Sequence, residues 1–224
     1  MRLYELPWTP WCQSVRALFS EKGLPYERHV LLPGQELEGW FLELNPSGRV
    51  PLLVSDHDDA IVREGPVILE YLEEVHPQRP LMPVSPEERA LVRTLMHLAD
   101  QDLGAPLEEL YLIREESPSE DPSLEEELEE EVVSGLALLA DILDPARPYA
   151  AGEAFTLADL ALAPLLIELP ERAGFEGLIE EFEEVAHYRD RLVGRPGLAV
   201  IRQSWGEWDE WTAASPGVEV VSGS

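Results

Sequence analysis

The feature that most constrains the fold is a change of pattern at residues 77–86, where four prolines occur in ten residues. Proline lacks a backbone N–H and fixes φ, so this stretch cannot continue a helix or a central strand. Strand-like and helix-like segments alternate before it, whereas only helical periodicity of comparable strength follows. We therefore predict a first domain over residues 1–76, a linker over 77–86, an all-helical domain over 87–211 and a flexible tail over 212–224.

The first domain is predicted to have the order β-α-β-α-β-β-α. The segments "MRLYEL" and "YERHVLL" are typical of strands, and "VPLLVSDHDDAIVRE" predicts a hairpin. Apolar residues recur at helical spacing in "PWCQSVRALFSEKG", "GWFLELNPSG" and "GPVILEYLEEVHP". The fold class is therefore α/β followed by all-α.

The second domain contains a long amphipathic segment, "PEERALVRTLMHLADQDLGAPLEELYLI", in which Pro106 predicts a kink. The later segment "FTLADLALAPLLIEL" is almost entirely apolar, so we expect it to be the buried centre of the domain. Thr156 and Asp159 have the spacing of a capping box at its start. Trp205, Trp208 and Trp211 are three residues apart, which would place them along one side of a last helix that packs on the first domain.

The charge of the chain is strongly acidic. It has 45 acidic and 16 basic residues, a formal net charge of −29, and a single lysine, Lys22. We expect an acidic surface that does not bind nucleic acid directly, because phosphate binding depends on clustered cations. A halophilic setting, in which salt screens self-repulsion, explains this composition, and a basic partner is the alternative.

Several other functional classes are not expected. No apolar run is long enough to span a bilayer, so we expect no membrane association and a cytoplasmic location. Cys12 is the only cysteine, which excludes an internal disulfide and a multi-cysteine zinc site. His57, His76 and His187 lack metal-ligand spacing, so we expect no metal.

Three segments occur in the order found in the cytosolic glutathione transferase superfamily. They are "NPSGRVPLL", "REGPVILEYLEE" and "FTLADLALAP", and each resembles a motif of that superfamily. The resemblance implies a thioredoxin-like N-terminal domain, a helical C-terminal domain and a homodimer. It also implies glutathione as co-substrate, with a thiolate that attacks a small electrophile.

Other segments resemble bacterial stringent starvation protein A. These are "YLEEVHPQRPLMPV", "TLMHLADQDL" and "LAPLLIELPERAGFE". That family has the transferase fold, associates with RNA polymerase and generally lacks transferase activity. The alternative function is therefore an RNA polymerase-associated regulator, although that family's Pro-His-Pro patch is only partly kept in Pro77-Gln78-Arg79.

The stretch "TPWC" resembles the catalytic start of active transferases and places their activating hydroxyl on Thr9. Pro10 favours an extended Thr9 and suits the first helical position, so the hydroxyl would lie at the positive end of a helix. A hydrogen bond to a thiolate there would contribute about 1.5–3 kcal/mol, which lowers a thiol pKa by roughly one to two units. The alternative is that Thr9 only caps the helix.

Cys12 would occupy the third position of the same helix, close to Thr9. As a second catalytic candidate it would form a mixed disulfide with glutathione. The alternative is that Cys12 is a small buried hydrophobic residue.

The resemblance implies further site residues. A cis peptide bond is expected between Val50 and Pro51, and Glu64-Gly65 falls on the family's Glu-Ser pair at a helix start, where Gly65 lacks the hydroxyl. Leu37 falls where the family has a lysine, and Arg16 is a nearby cation of unknown direction. The remaining candidates are Trp11, Gln35 and Arg49 for glutathione, and His97, Gln101 and Tyr111 for the acceptor pocket.

Overall fold

The structure is a computed structural model. It describes residues 1–56, 59–116, 122–174 and 177–214. Backbone contacts divide the chain into two compact units: Met1–Arg79 joined by the segment that begins at Ala199, and Pro80–Leu198.

The described residues form a four-stranded sheet and a series of helices. The strands are β1 (Arg2–Glu5), β2 (Glu27–Val30), β3 (Leu52–Val54) and β4 (Ile61–Arg63). The helices are α1 (Pro10–Lys22), α2 (Gly39–Leu44), α3 (Gly65–Val75), α4 (Pro86–His97), α5 (Ala105–Tyr111), α6 (Pro122–Ile142), α7 (Leu157–Ile167), α8 (Leu169–Arg172), α9 (Glu183–Val193) and α10 (Ala199–Ala214). The predicted order β-α-β-α-β-β-α is confirmed over the first unit.

The sheet has the strand order β2-β1-β3-β4. β1 runs parallel to β2, with Leu3 opposite Arg28, and antiparallel to β3, with Leu3 opposite Leu53. β4 then pairs antiparallel with β3, with Val62 opposite Leu53. Because β1 is an inner strand, the loop that follows it lies near the middle of the sheet, at one end of the strands.

Both faces of the sheet are covered. On one face Tyr4, Leu52 and Val54 form a buried cluster with Leu6, Leu31 and Phe41, the last of which comes from α2. Side chains alternate between the faces of a strand, so Leu3 and Leu53, both fully buried, belong to the other face. That face also carries Glu5, a fully buried carboxylate.

The last helix, α10, packs within the first unit. Trp205 and Trp208 are buried, and the Trp208 ring lies 3.8 Å from the Trp8 ring between centroids. The predicted packing of this helix on the first domain is therefore confirmed for these two tryptophans. The side chain of Trp211 and residues 215–224 of the predicted tail lie outside the described residues, and the predicted domain limits stay predictions.

An ion network fixes α10 to the sheet and to α1. Arg16 donates to Ser204 at 2.6 Å and to Glu207 at 3.1 Å. Arg28 donates to Glu5 at 2.6 Å and to Glu207 at 2.7 Å. Partial burial opposes ionisation of Glu207, but the hydrogen bond from Arg28 and the charges of both arginines outweigh it and lower the pKa of Glu207.

In the second unit, α4 and α5 belong to one helical stretch that contains two wide π-helical segments, Leu98–Gly104 and Leu112–Glu116. The sequence predicted one long helix with a kink at Pro106, and the first irregularity lies just before that residue. α6 packs directly on it, because a Cβ on Gly135 would lie 2.3 Å from the Asp102 carbonyl oxygen. Only glycine permits this approach.

Helix α7 is the buried centre of the second unit, as predicted, since every residue from Leu157 to Ile167 is buried. Asp159 accepts hydrogen bonds from the Thr156 N–H at 2.7 Å, the Ala150 N–H at 2.9 Å and the Tyr188 hydroxyl at 2.7 Å. The predicted capping box is confirmed. In the part of the chain that the structure describes, no helix has the length and apolar character needed to cross a bilayer.

Candidate functional site

The amino end of α1 follows the central strand β1. Thr9 has an extended backbone, with φ −72° and ψ 137°, and Pro10 is the first helical residue, as the sequence predicted. The Thr9 hydroxyl does not cap the helix; it donates to the Leu6 carbonyl at 3.0 Å. A thiolate at this end of the helix would therefore compete with that carbonyl for the hydroxyl proton.

Cys12 lies one turn further along α1 and is fully buried. The structure thus places its sulfur within the packed interior of the first unit. Full burial is the environment of a small hydrophobic residue, and a mixed disulfide with glutathione would require α1 to move.

The turn before β3 contains a cis peptide bond between Val50 and Pro51, which confirms the expectation. The Asn45 side chain donates to the Arg49 carbonyl at 2.6 Å and holds the turn from within. Val50 is partly exposed and packs against the cluster that contains Phe41.

Glu64, which precedes α3, has φ 69° and ψ 130°. A non-glycine residue in this region is strained by about 1–3 kcal/mol, and such strain is concentrated at functional sites. Its carboxylate accepts from Arg49 at 2.6 Å. The side chains of Arg49 and Glu64 are 69% and 45% exposed, so their pairing is worth at most about 1 kcal/mol and can open to a ligand.

The amino ends of α1 and α3 meet through Trp11 and Gly65. A Cβ on Gly65 would lie 2.5–2.6 Å from three carbon atoms of the Trp11 indole. Since real Cβ contacts are essentially never closer than 3.0 Å, no other residue fits at position 65 while the indole stays in place. The contact with Trp11 thus explains why this chain has glycine at position 65, where the glutathione transferase superfamily usually has serine.

Three further candidates lie elsewhere. The Gln35 amide oxygen accepts from the Leu32 N–H at 2.9 Å, in the turn before α2. Leu37 is 46% exposed on the same short helical turn. Arg16 belongs to the ion network around Glu207, so it does not point to the amino end of its own helix.

The acceptor-pocket candidates lie along the helical stretch of the second unit. His97 and Gln101 are exposed, and Gln101 donates to Asp100 at 2.7 Å, whereas Tyr111 is buried. Gln101 lines a cleft of about 530 Å³ with mostly acidic neighbours, among them Asp102, Glu127, Glu130 and Glu131.

Glu108, on the same stretch, was not predicted from the sequence to be a site residue. Burial, with a contribution from the charge of Asp100, raises the pKa of Glu108 to about 7. No local pattern reveals this group, because the surroundings of a side chain depend on residues that are distant in the sequence.

The histidines in the described part of the chain are not grouped as metal ligands. His76 is partly exposed at the end of α3 and His187 is exposed on α9, while His57 lies outside the described residues. Among the residues that the structure describes, no three His, Cys, Asp or Glu side chains are grouped as metal ligands.

The fold and this site together define a class of proteins. The first unit is thioredoxin-like and has a hydroxyl at its first helix, a cis-proline turn and an acidic residue before its third helix. A helical unit follows it along the chain. Two family models match the chain: "Glutathione S-transferase, N-terminal domain" over residues 8–75 and "Glutathione S-transferase, C-terminal domain" over residues 121–214. The chain belongs to the glutathione S-transferase family.

Relatives of two kinds are similar to it. A stringent starvation protein A homolog from Pasteurella multocida is 34% identical over 72% of this chain and 71% of its own. A glutathione S-transferase from Pseudomonas putida is 32% identical over 71% of this chain and 70% of its own. A glutathione transferase family member from Pseudomonas fluorescens, crystallised with two glutathione molecules bound, is 26% identical, with a TM-score of 0.79 over 91% of both chains.

Proposed function

We propose that the protein binds glutathione and promotes attack of its thiolate on a small electrophile. The observation that carries this proposal is the position of Thr9, a partly exposed residue whose hydroxyl lies at the positive end of α1. The family relationship and the glutathione-bound relative from Pseudomonas fluorescens support it.

In this proposal, Thr9 stabilises the thiolate by a hydrogen bond. The hydroxyl rotates its proton from the Leu6 carbonyl to the sulfur, and the dipole of α1 favours the same negative charge. The net gain is a charged hydrogen bond in place of a neutral one, about 1.5–3 kcal/mol at most. A thiol with an ordinary pKa of about 8.5 would then have a pKa of about 6.5–7.5, so that a substantial fraction is ionised near pH 7.

The rest of the tripeptide would lie along the cis-proline turn and the start of α3. The Val50 backbone would pair with the peptide backbone of glutathione in the manner of an added strand. Glu64 would exchange its exposed partner Arg49 for the ammonium group of the ligand. The Glu64 side chain is 45% exposed and Val50 is partly exposed, so both are accessible to a ligand.

The chemical step is a substitution or an addition at carbon. The thiol loses its proton to solvent, the sulfur forms the new C–S bond, and a leaving group departs with its electron pair. In an addition, the carbon next to the one attacked takes up a proton instead. His97, Gln101 and Tyr111 remain the proposed acceptor residues.

The second candidate function is that of a regulator similar to stringent starvation protein A, associated with RNA polymerase. The replacement of serine by Gly65 and the Trp11 indole packed on it favour this reading, because they alter one end of the glutathione site. The Pasteurella multocida relative supports it equally. A homodimer in the cytoplasm is proposed for either function.

The test is conjugation of glutathione to an aryl halide by the full chain at molar salt. Thr9→Ala should lower kcat/KM by about tenfold to a hundredfold, whereas Thr9→Ser and Cys12→Ser should stay within about threefold of the natural chain. Thermal unfolding of each variant controls for folding. Loss of activity in Cys12→Ser but not in Thr9→Ala would overturn the role assigned to Thr9. Absence of glutathione binding at 10 mM would refute the transferase function and leave the regulator as the remaining proposal.

A further inference from the structure

The contact between Trp11 and Gly65 has a consequence for what the site can recognise. Trp11 is the second residue of α1, and Gly65 is the first residue of α3. The indole fills the volume that any side chain at position 65 would need. The nearest indole atoms are Cγ, Cδ2 and Cε3, which are carbons that offer no hydrogen-bond donor.

The start of α3 is also poor in donors for another reason. Pro66 is the second residue of the helix and has no N–H, so one of the groups that a helix start normally offers to an anion is missing. The Glu64 carboxylate lies next to Gly65 and would repel a second carboxylate. Arg49 is the cation at this end, and it already pairs with Glu64 at 2.6 Å.

The same groups would attract a cation. Glu64 is partly exposed and is held by a pairing that can open, so a ligand ammonium can take the place of the Arg49 guanidinium. A carboxylate in the same position would meet the carbons of the indole, the proline ring and a negative charge, with the backbone N–H groups of Gly65 and Val67 as donors but no hydroxyl. The local chemistry therefore distinguishes the two charged groups that a γ-glutamyl end carries.

We propose that Trp11 is a specificity-determining residue. It excludes a side chain at position 65, and the site therefore selects a thiol peptide by its ammonium group and not by the adjacent carboxylate. This inference rests on the proposed function. The ligand class it defines is a thiol peptide with a free amino group opposite Glu64. A carboxylate beside that amino group is dispensable for binding.

The test compares ligands in calorimetric titrations with the full chain. The probes are glutathione, the analogue γ-aminobutyryl-cysteinyl-glycine, which lacks the α-carboxylate, and glutathione acetylated on its amine. For the natural chain, removal of the carboxylate should change Kd by less than about threefold, and acetylation should weaken binding by at least about tenfold. A tenfold or larger loss with the analogue that lacks the carboxylate would overturn the inference.

A pair of substitutions tests the role of Trp11 itself. Gly65→Ser alone should lower Tm by about 2–12 °C, because it overpacks a filled site. Trp11→Ala removes the overlapping atoms, so Trp11→Ala combined with Gly65→Ser should have a Tm no lower than that of Trp11→Ala alone and should show a carboxylate dependence of about tenfold to a hundredfold. An unchanged Tm in Gly65→Ser, or a double variant indifferent to the carboxylate, would contradict the inference.

Failure of the proposed function gives a different result. If no probe binds to the natural chain at 10 mM, thiol binding is refuted and the inference on specificity falls with it. If glutathione binds and its carboxylate proves necessary, only the role assigned to Trp11 is refuted.

Discussion

Substitution of Arg16 by methionine tests how α10 is held on the first unit. The guanidinium is 4% exposed, donates to Ser204 and Glu207, and lies 3.9 Å from the fully buried Glu5 carboxylate. Methionine keeps the length of the side chain and removes the charge. Glu5 then keeps Arg28 as its charged partner, at 2.6 Å.

The expected loss is large, because methionine removes the hydrogen bonds to Ser204 and Glu207 and one of the two cations that face the buried Glu5 carboxylate. Breaking such a buried ion pair costs about 3–5 kcal/mol. For a chain of this size each kcal/mol corresponds to about 2–4 °C, so Tm should fall by about 6–20 °C. Chemical denaturation and thermal unfolding at constant molar salt measure both quantities.

The loss should also depend on pH. Burial raises the pKa of Glu5, and the charges of Arg16 and Arg28 oppose that shift. Without Arg16 the pKa of Glu5 rises further. A carboxyl group whose pKa is higher in the folded state binds its proton more tightly there, so stability is lost as pH rises above about 4.5. The deficit of Arg16→Met should therefore be smaller at pH 4.5 than at pH 7.

Two controls make the reasoning refutable. Glu207→Gln removes a carboxylate that is 38% exposed and should cost less than about 1 kcal/mol. The double variant Arg16→Met with Glu5→Leu should recover part of the loss, because it removes a buried carboxylate that has lost one of its two cations. A loss below 1 kcal/mol in Arg16→Met, or no recovery in the double variant, would refute the account of this network.

Two further predictions concern the second unit. Asp159→Ala leaves the Ala150 and Thr156 N–H groups and the Tyr188 hydroxyl without their acceptor. It should therefore lower the free energy of unfolding by about 3–6 kcal/mol in chemical denaturation. A loss below about 1 kcal/mol would contradict this prediction. Glu108→Gln should leave the free energy of unfolding unchanged at pH 5 and raise it by about 1–3 kcal/mol at pH 8. The reason is that the pKa of Glu108 is raised to about 7, so the natural protein loses stability as the pH rises through that value. Equal effects at the two pH values would contradict this prediction.

Local sequence patterns were sufficient for much of the fold. Alternation and helical spacing identified the strands and helices of the first unit, since each pattern reports which face of an element is buried. Thr156 and Asp159 identified the start of α7 because a capping box is a short-range interaction. Thr9 and Pro10 identified the start of α1 for the same reason.

Other features depend on contacts between distant parts of the chain. Arg16 contacts Ser204 and Glu207, which lie 188 and 191 residues further along, so its direction could not be predicted from its neighbours in sequence. The contact of Trp11 with Gly65 joins two helix starts, and the sequence shows only that serine is missing. The π-helical segment before Pro106 lies against Gly135 of α6, a contact that the local sequence does not show.

The site itself was predicted in outline. The cis bond at Pro51 and the extended Thr9 are present, whereas Arg49 pairs with Glu64 and Arg16 points into the ion network. The sequence could not reveal these pairings, because arginine side chains are long and reach partners that only the folded backbone brings close. The roles assigned to the site residues stay predictions.

The most direct test of the central claim is the pKa of the glutathione thiol when bound. Thiolate absorbance, followed by pH titration of the complex with the natural chain and with Thr9→Ala, measures it. The account predicts a pKa of about 6.5–7.5 for the natural chain and a return toward about 8.5 in Thr9→Ala. A bound thiol that titrates near 8.5 in both proteins would contradict the claim that Thr9 stabilises a sulfur anion.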